Sequence, residues 1–139
     1  MRTLGAFVVA VALTVPALAA NGYRVVANPS VKSTTLSKSA LSDIFLKKTR
    51  KWDDGTNIVA LDQIQQSAVR ASFGTTVHGR SITAVKNYWN QQVFTGRDVP
   101  LVEKASDDEV LSFVRTTPGA VGYVSEGADV RGVKIIDIP

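Results

Sequence analysis

The residue types on which most enzymes rely are nearly missing from this chain of 139 residues, which has one histidine and no cysteine. His78 alone cannot hold zinc, because a zinc site needs about three or four converging ligands. It could serve a Ser-His-Asp triad, but the sequence has no Gly-x-Ser-x-Gly turn to present a serine. A histidine close to a helix end is usually a surface or capping residue. We therefore predict that the chain is not an enzyme and has no catalytic residue, metal or cofactor.

Residues 74–81, Gly-Thr-Thr-Val-His-Gly-Arg-Ser, nearly spell a phosphate-binding P-loop, with Arg80 in place of the lysine. A P-loop follows a strand and opens a helix, so that backbone N–H groups surround the phosphates. Here the preceding residues carry a helical stripe, so we expect a corner between two helices, built on Gly79. Arg80 at a helix N-terminus could still hold a single anion.

Acidic and aromatic side chains give no further site from the sequence alone. The aspartates are scattered among turns and helix ends, and their spacing brings no two together: Asp43, Asp53, Asp54, Asp62 and Asp98. Trp52, Tyr88 and Trp89 lie at helical or helix-end positions, where we expect them to pack in the core.

The N-terminus has the pattern of a secretory signal peptide. Arg2 precedes a small and apolar run from Leu4 to Val15, and Pro16 and the tripeptide Ala-Leu-Ala ending at Ala19 follow it. The run is shorter than the ~20 apolar residues that a membrane-spanning helix needs, and small residues of this kind mark a cleavage site. We predict a signal peptide at residues 1–19 and a periplasmic domain at residues 20–139 with no integral membrane segment.

The full chain has a formal net charge of +4, and its basic residues concentrate at Lys47, Lys48, Arg50 and Lys51. Such a patch could attract nucleic acid, anionic lipid or an acidic partner. A solvated face at a helix end is the simpler interpretation, because cations there also complement the helix dipole. Export argues against nucleic acid, and we predict no nucleic-acid partner.

Short apolar strands alternate with amphipathic helices along the mature chain. We predict strands at residues 24–27, 57–61, 99–103, 120–124 and 133–137, and Pro100 makes the third a short edge strand or an extended connection. Four serines are predicted N-caps of helices: Ser37, Ser67, Ser81 and Ser106. Strands separated by helices indicate a layered α/β domain with a mostly parallel sheet.

Apolar stripes and turn signals support the predicted helices. Val69, Phe73 and Val77 fall on one face of the second helix, and the third has its inward face at Val85, Tyr88, Trp89 and Val93. Ser106 and Glu109 form a capping box at the start of the fourth.

Two sequence motifs resemble those of a known family. Residues 41–46 (Leu-Ser-Asp-Ile-Phe-Leu) and 51–55 (Lys-Trp-Asp-Asp-Gly) resemble the stretch L-x-x-I-F-x-G-x-x-x-x-W-x-D-G of phosphate ABC transporter substrate-binding proteins. Residues 117–124 (Thr-Pro-Gly-Ala-Val-Gly-Tyr-Val) are similar to that family's T-P-G-A-I-G-Y-V. Residues 94–97, Pro100, Ser106 and Asp107 resemble a short, single-lobe subgroup.

The resemblance implies a type II periplasmic-binding-protein-like fold, normally two lobes that close on an oxyanion with backbone N–H groups, Ser/Thr hydroxyls and one arginine. Two lobes would take well over ~200 residues, so we expect a single lobe with a mostly parallel sheet flanked by helices. Where the family carries its arginine and Ser-Gly-Thr run, this sequence has residues 62–67, and the Asp62 carboxylate would repel a phosphate dianion. The remaining ligand-binding candidates are Ser67, Arg70 and Gln63, assisted by the dipole of the second helix.

Two functions follow from this resemblance. The chain could be a solute-binding protein that captures a small anion, completed by a homodimer or by an envelope or ABC transporter partner. It could instead be an interaction protein of the envelope that kept the lobe and lost the ligand. Residues 62–70 distinguish these two functions. Capture of an anion needs hydrogen-bond donors in this segment whose attraction for the anion is not cancelled by the Asp62 charge.

Overall fold

The computed structural model describes residues 22–139, and the predicted signal peptide lies outside these residues. The strands are β1 (Tyr23–Ala27), β2 (Val59–Gln63), β3 (Val102–Lys104), β4 (Ala120–Ser125) and β5 (Lys134–Ile136). The helices are α1 (Lys38–Phe45), α2 (Ala68–Phe73), α3 (Ile82–Phe94) and α4 (Asp107–Thr116), and a π-helical turn at Gly74–His78 continues α2. No helix among the described residues has the length and apolar character needed to cross a bilayer.

The five strands form one sheet in the order β3-β2-β4-β1-β5. β2 pairs in parallel with β3 and β4, whereas β1 pairs antiparallel with β4 and β5. Four strands therefore point one way and β1 points the other. The predicted α/β fold with a mostly parallel sheet flanked by helices is confirmed. The third strand lies at the edge of the sheet, but it begins at Val102 rather than residue 99, and Pro100 lies in the segment before it.

Helices cover both faces of the sheet. Successive residues of a strand point to opposite faces, so each central strand contributes side chains to both cores. Val25 lies in the larger core with α1, α2 and α3, while Val26 lies in the smaller core against α4. Trp52 and Trp89 are buried, as predicted for packing residues. Gly122 of β4 lies so close to α4 that an added Cβ would be 2.9 Å from the Val110 side chain.

The four predicted serine caps are confirmed. The side-chain oxygens of Ser37, Ser67, Ser81 and Ser106 each accept a hydrogen bond from a backbone N–H three residues later. Gly79 ends the π-helical turn in the left-handed region, with φ 61°. This is the predicted corner between two helices, rather than a P-loop.

One predicted core position and several predicted strand bounds are wrong. Val93 is exposed, because α3 buries only Val85 and Trp89 and its last turn extends into solvent. The second strand begins at Val59 rather than residue 57, because Asn57 bridges to Lys51 and the Ile58 N–H donates to the Arg50 carbonyl.

Candidate functional site

The three predicted ligand-binding residues lie together at the carboxyl ends of the parallel strands. Gln63 ends β2, Ser67 caps α2, and Arg70 lies in the first turn of α2. The Ser67 hydroxyl donates to Gln63 Oε1 at 2.8 Å, and Arg70 Nη1 donates to the Gln63 carbonyl at 2.7 Å. Open α/β sheets bind ligands at this edge, so the fold brings these residues to a suitable place.

Two carboxylates flank the Arg70 guanidinium. Nη1 donates to Glu103 Oε1 at 3.1 Å, and Nη2 lies 3.4 Å from Asp62 Oδ2. Arg70 is only 7% exposed, so these contacts and the Gln63 carbonyl satisfy a nearly buried cation. Sequence reasoning named Asp62 as a charge opposing an anion but missed Glu103, which enters from the edge strand β3.

The Gln63 amide is held by two further groups. Its Nε2 donates to Asp107 Oδ1 at 2.9 Å and to the Tyr123 carbonyl at 3.0 Å. Asp107 Oδ1 also accepts from the Ser125 N–H at 3.2 Å. Gln63 thus links the ends of β2 and β4 to the start of α4, and its side chain is fixed in position.

Asp62 is fixed from the opposite side by Tyr123. The Tyr123 hydroxyl donates to Asp62 Oδ1 in a short hydrogen bond and accepts from the Gln63 N–H. Burial raises the pKa of Asp62, although the Arg70 charge and the Tyr123 hydrogen bond partly oppose this. Burial and the neighbouring Asp62 charge raise the pKa of Tyr123, so the phenol remains protonated. With both carboxylates ionised, the immediate surroundings of Arg70 carry one positive and two negative charges.

A cavity of about 160 Å³ opens beside these residues. Its wall includes Asp62, Arg70, Glu103, Lys86 and Trp89. It therefore offers charges of both signs and one aromatic face to a small polar molecule.

His78 lies at the end of the π-helical turn that continues α2, and it is half-buried rather than on the surface. Its Nδ1 is 2.7 Å from Ser42 Oγ of α1, and its ring meets Phe73 edge-on. Burial lowers the pKa of His78 to about 4, and the charges of Arg80, Arg70 and Lys48 act in the same direction. No acidic side chain of residues 22–139 hydrogen-bonds to the ring, so a Ser-His pair is present without the orienting carboxylate of a triad.

The sequence matches no family model and no curated protein, but solved structures share its fold. An ABC-type phosphate transport receptor from Vibrio cholerae is 20% identical, with a TM-score of 0.66 over 84% of this chain and 45% of the receptor. A phosphate ABC transporter substrate-binding protein from Clostridium perfringens, described with bound phosphate, is 18% identical, with a TM-score of 0.67 over 85% of this chain and 45% of its own. PstS from Borrelia burgdorferi is 17% identical, with a TM-score of 0.59 over 85% and 47%.

These similarities confirm at the level of the fold the resemblance to phosphate-type substrate-binding proteins. The chain spans less than half the length of each neighbour, in agreement with a single-lobe version of that fold. The comparisons with solved structures give no evidence for a homodimer.

Proposed function

We propose that the chain is an exported single-lobe binding protein that captures a small oxyanion at Gln63, Ser67 and Arg70. The observation that carries the proposal is the convergence of these three side chains at the carboxyl ends of the parallel strands. Of the three, Arg70 lines the cavity of about 160 Å³, and its guanidinium supplies N–H donors suited to an oxyanion. The Ser67 hydroxyl and the Gln63 amide donate within the protein and fix the end of β2 and the start of α2 around Arg70. The neighbour from Clostridium perfringens, which shares the fold, is described with bound phosphate.

Glu103 occupies the position that an anion would take on the guanidinium. Its side chain is 39% exposed, whereas that of Asp62 is 14% exposed. Glu103 can therefore rotate into solvent and release Arg70 Nη1 toward the small cavity, while Asp62 stays on Tyr123. A bound anion would take the place of Glu103 on the nearly buried guanidinium while the Glu103 carboxylate regains water, so the exchange costs on the order of 1 kcal/mol.

The remaining charge of Asp62 determines which anions fit. Once Glu103 has moved away, Arg70, Lys86 and Asp62 leave the wall of the cavity with a net charge of +1 (2 − 1 = 1), which matches a monoanion but not a dianion. We therefore expect monovalent oxyanions to bind better than sulfate, and phosphate to bind better at the pH values where it carries a single charge.

The test is a calorimetric titration of the mature protein with nitrate, phosphate and sulfate. Glu103→Gln removes the competing carboxylate and should raise the affinity about fivefold. Arg70→Gln should abolish binding, and Ser67→Ala should weaken it. Glu126→Gln, which removes an exposed carboxylate after β4, is the matched control and should change nothing. An affinity that Glu103→Gln leaves unchanged would contradict the proposed displacement.

Export is the second part of the proposal, and the sequence of residues 1–19 supports it. Expression of the full chain in a Gram-negative host should yield a mature protein in the periplasmic fraction, with Ala20 as its first residue. Retention of Met1 on the accumulated protein would contradict export.

The alternative function, an envelope interaction protein without a ligand, is favoured by one observation. The guanidinium of Arg70 is already satisfied by Asp62, Glu103 and the Gln63 carbonyl, so the folded lobe has no need of an anion. In this case the partner is a protein of the envelope, such as an ABC transporter. Absence of binding for every anion, in the wild type and in Glu103→Gln, would favour this function over capture.

A further inference from the structure

A second and larger cavity lies between the loop that follows α1, the start of β2 and the segment that leads into β3, and it shares Pro100 and Leu101 with the wall of the smaller cavity. Its volume is about 500 Å³, which is within the range of about 300–1,000 Å³ typical of small-molecule sites. We name it the α1–β3 groove. Neither Gln63, Ser67 nor Arg70 lines it, so none of the residues proposed to bind the oxyanion contributes to it.

The floor of the α1–β3 groove is apolar. Ile44, Ile58 and Leu101 line it from three different segments. Val99 and Val102 extend this apolar surface outward and are 62% and 58% exposed. Large apolar side chains that remain exposed around a concave site are typical of a surface that binds something.

The rim of the groove is cationic. Lys47, Arg50 and Lys51 line it, and Asp98 is the carboxylate that pairs with two of them, Lys47 and Arg50. Three cations and one carboxylate leave a net charge of +2 (3 − 1 = 2). The Lys51 side chain has no ion-pair partner among the described residues. An apolar floor beside an excess of positive charge is complementary to an anion that carries an apolar chain.

The backbone of Lys47 adds an independent observation. Within residues 22–139, Lys47 is the one non-glycine residue with positive φ, at 55°. It occupies the position of the glycine in the motif L-x-x-I-F-x-G, which residues 41–46 resemble. A side chain in the left-handed region costs about 1–2 kcal/mol, and such strain is concentrated at functional sites. Lys47 Nζ donates to the Val99 carbonyl at 2.9 Å, which holds a cation at the mouth of the groove where glycine would place none.

We propose that the α1–β3 groove binds a small amphiphilic carboxylate, with its alkyl chain on the apolar floor and its carboxylate at Arg50 and Lys51. An inorganic anion would leave the floor exposed to water. An uncharged chain would gain nothing from the rim. A carboxylate on an alkyl chain satisfies both halves of the groove with one molecule.

The test is a calorimetric titration of the mature protein with decanoate at low ionic strength. We expect binding of one decanoate per chain, with no binding of acetate, which lacks the chain, or of decyltrimethylammonium, which has the wrong charge. Equal binding of the two decyl compounds would overturn the proposal, and so would absence of decanoate binding. Association with phosphatidylglycerol vesicles in the absence of decanoate binding would show instead that the patch binds a membrane surface.

Matched variants locate the site. Lys51→Glu should weaken decanoate binding roughly three- to tenfold, because reversing one charge at the rim turns attraction into repulsion. Lys38→Glu makes the same charge change at the distant, exposed start of α1 and should leave the affinity unchanged. Val102→Glu should weaken binding, whereas Ile135→Glu on the opposite edge strand should not. Equal effects of a variant and its control would overturn the assignment of the site.

The Arg70→Gln variant separates this proposal from the oxyanion site. It should leave decanoate binding intact while abolishing oxyanion capture. Loss of both activities in a folded Arg70→Gln protein would overturn the independence of the two sites.

Discussion

The single histidine of the chain gives a prediction that a pH titration can test directly. His78 is half-buried between α1 and the π-helical turn, and its pKa is lowered to about 4 from an ordinary 6.5. We expect replacement by asparagine, which keeps a hydrogen-bonding side chain near Ser42 and cannot titrate in this range, to change how stability depends on pH.

The sign follows from which state binds the proton. Above pH 6.5 the ring is neutral in the folded and unfolded chain, so it contributes no pH dependence. As the pH falls from 6.5 to 4, the unfolded chain takes up a proton that the folded chain does not, so the free energy of unfolding decreases. Below pH 4 the folded ring is protonated as well, and the loss levels off.

The magnitude comes from the two pKa values. A fall from 6.5 to about 4 corresponds to at most about 3 kcal/mol, and the partial exposure of the ring reduces this to about 1–2 kcal/mol. Wild type and His78→Asn should therefore have diverging unfolding free energies between pH 7 and pH 4, with wild type losing about 1–2 kcal/mol more. Chemical denaturation at several pH values measures this difference, and the carboxylates common to both proteins cancel.

An independent readout uses the same residue. Because the chain has one histidine, NMR of an untagged protein reports the imidazole resonances of His78 without ambiguity. A measured pKa near 6.5, or pH profiles of wild type and His78→Asn that run parallel, would refute the reasoning.

Substitutions at three further positions test the fold, each by chemical denaturation at neutral pH. Gly122→Ala places a Cβ 2.9 Å from the Val110 side chain and should lower the unfolding free energy by about 1–3 kcal/mol; an unchanged value would show that α4 moves away freely. Tyr123→Phe keeps the buried ring but removes the donor to Asp62, and should cost about 1–3 kcal/mol; a neutral result would mean that this hydrogen bond is absent in solution. Ser106→Ala removes the cap of α4 and should cost about 1 kcal/mol, whereas Ser106→Asp, which can still cap, should cost less.

The parts of the fold that sequence reasoning predicted are those set by local interactions. The four serine caps act over three residues, and the apolar stripe of Val69, Phe73 and Val77 is one face of one helical segment. Pro100, which has no N–H to donate, predicts an edge strand or an extended connection in its segment, and it lies just before the edge strand β3. These features need no knowledge of which strand lies beside which.

The features that escaped prediction depend on contacts between distant segments. The antiparallel direction of β1 is determined by its neighbours β4 and β5, about a hundred residues later in the chain. The same holds for the Ser42–His78 pair, 36 residues apart, and for Glu103, which is 33 residues from Arg70. Spacing along the chain indicates that Ser67 and Arg70 share a turn, but it cannot indicate what lies opposite them.

Glu103, which the sequence analysis did not identify, changes how the predicted site at Arg70 can bind an anion. Without Glu103, Arg70 and Asp62 form one ion pair, and the repulsion of a phosphate dianion rests on Asp62 alone. With Glu103 the guanidinium already holds a carboxylate on each side, so an incoming anion must compete with the protein's own group. Because Glu103 lies on a three-residue edge strand with an exposed side chain, it is the partner that can leave. Whether the lobe captures an anion therefore depends on the balance between an internal carboxylate and an external one, and the Glu103→Gln variant isolates that balance.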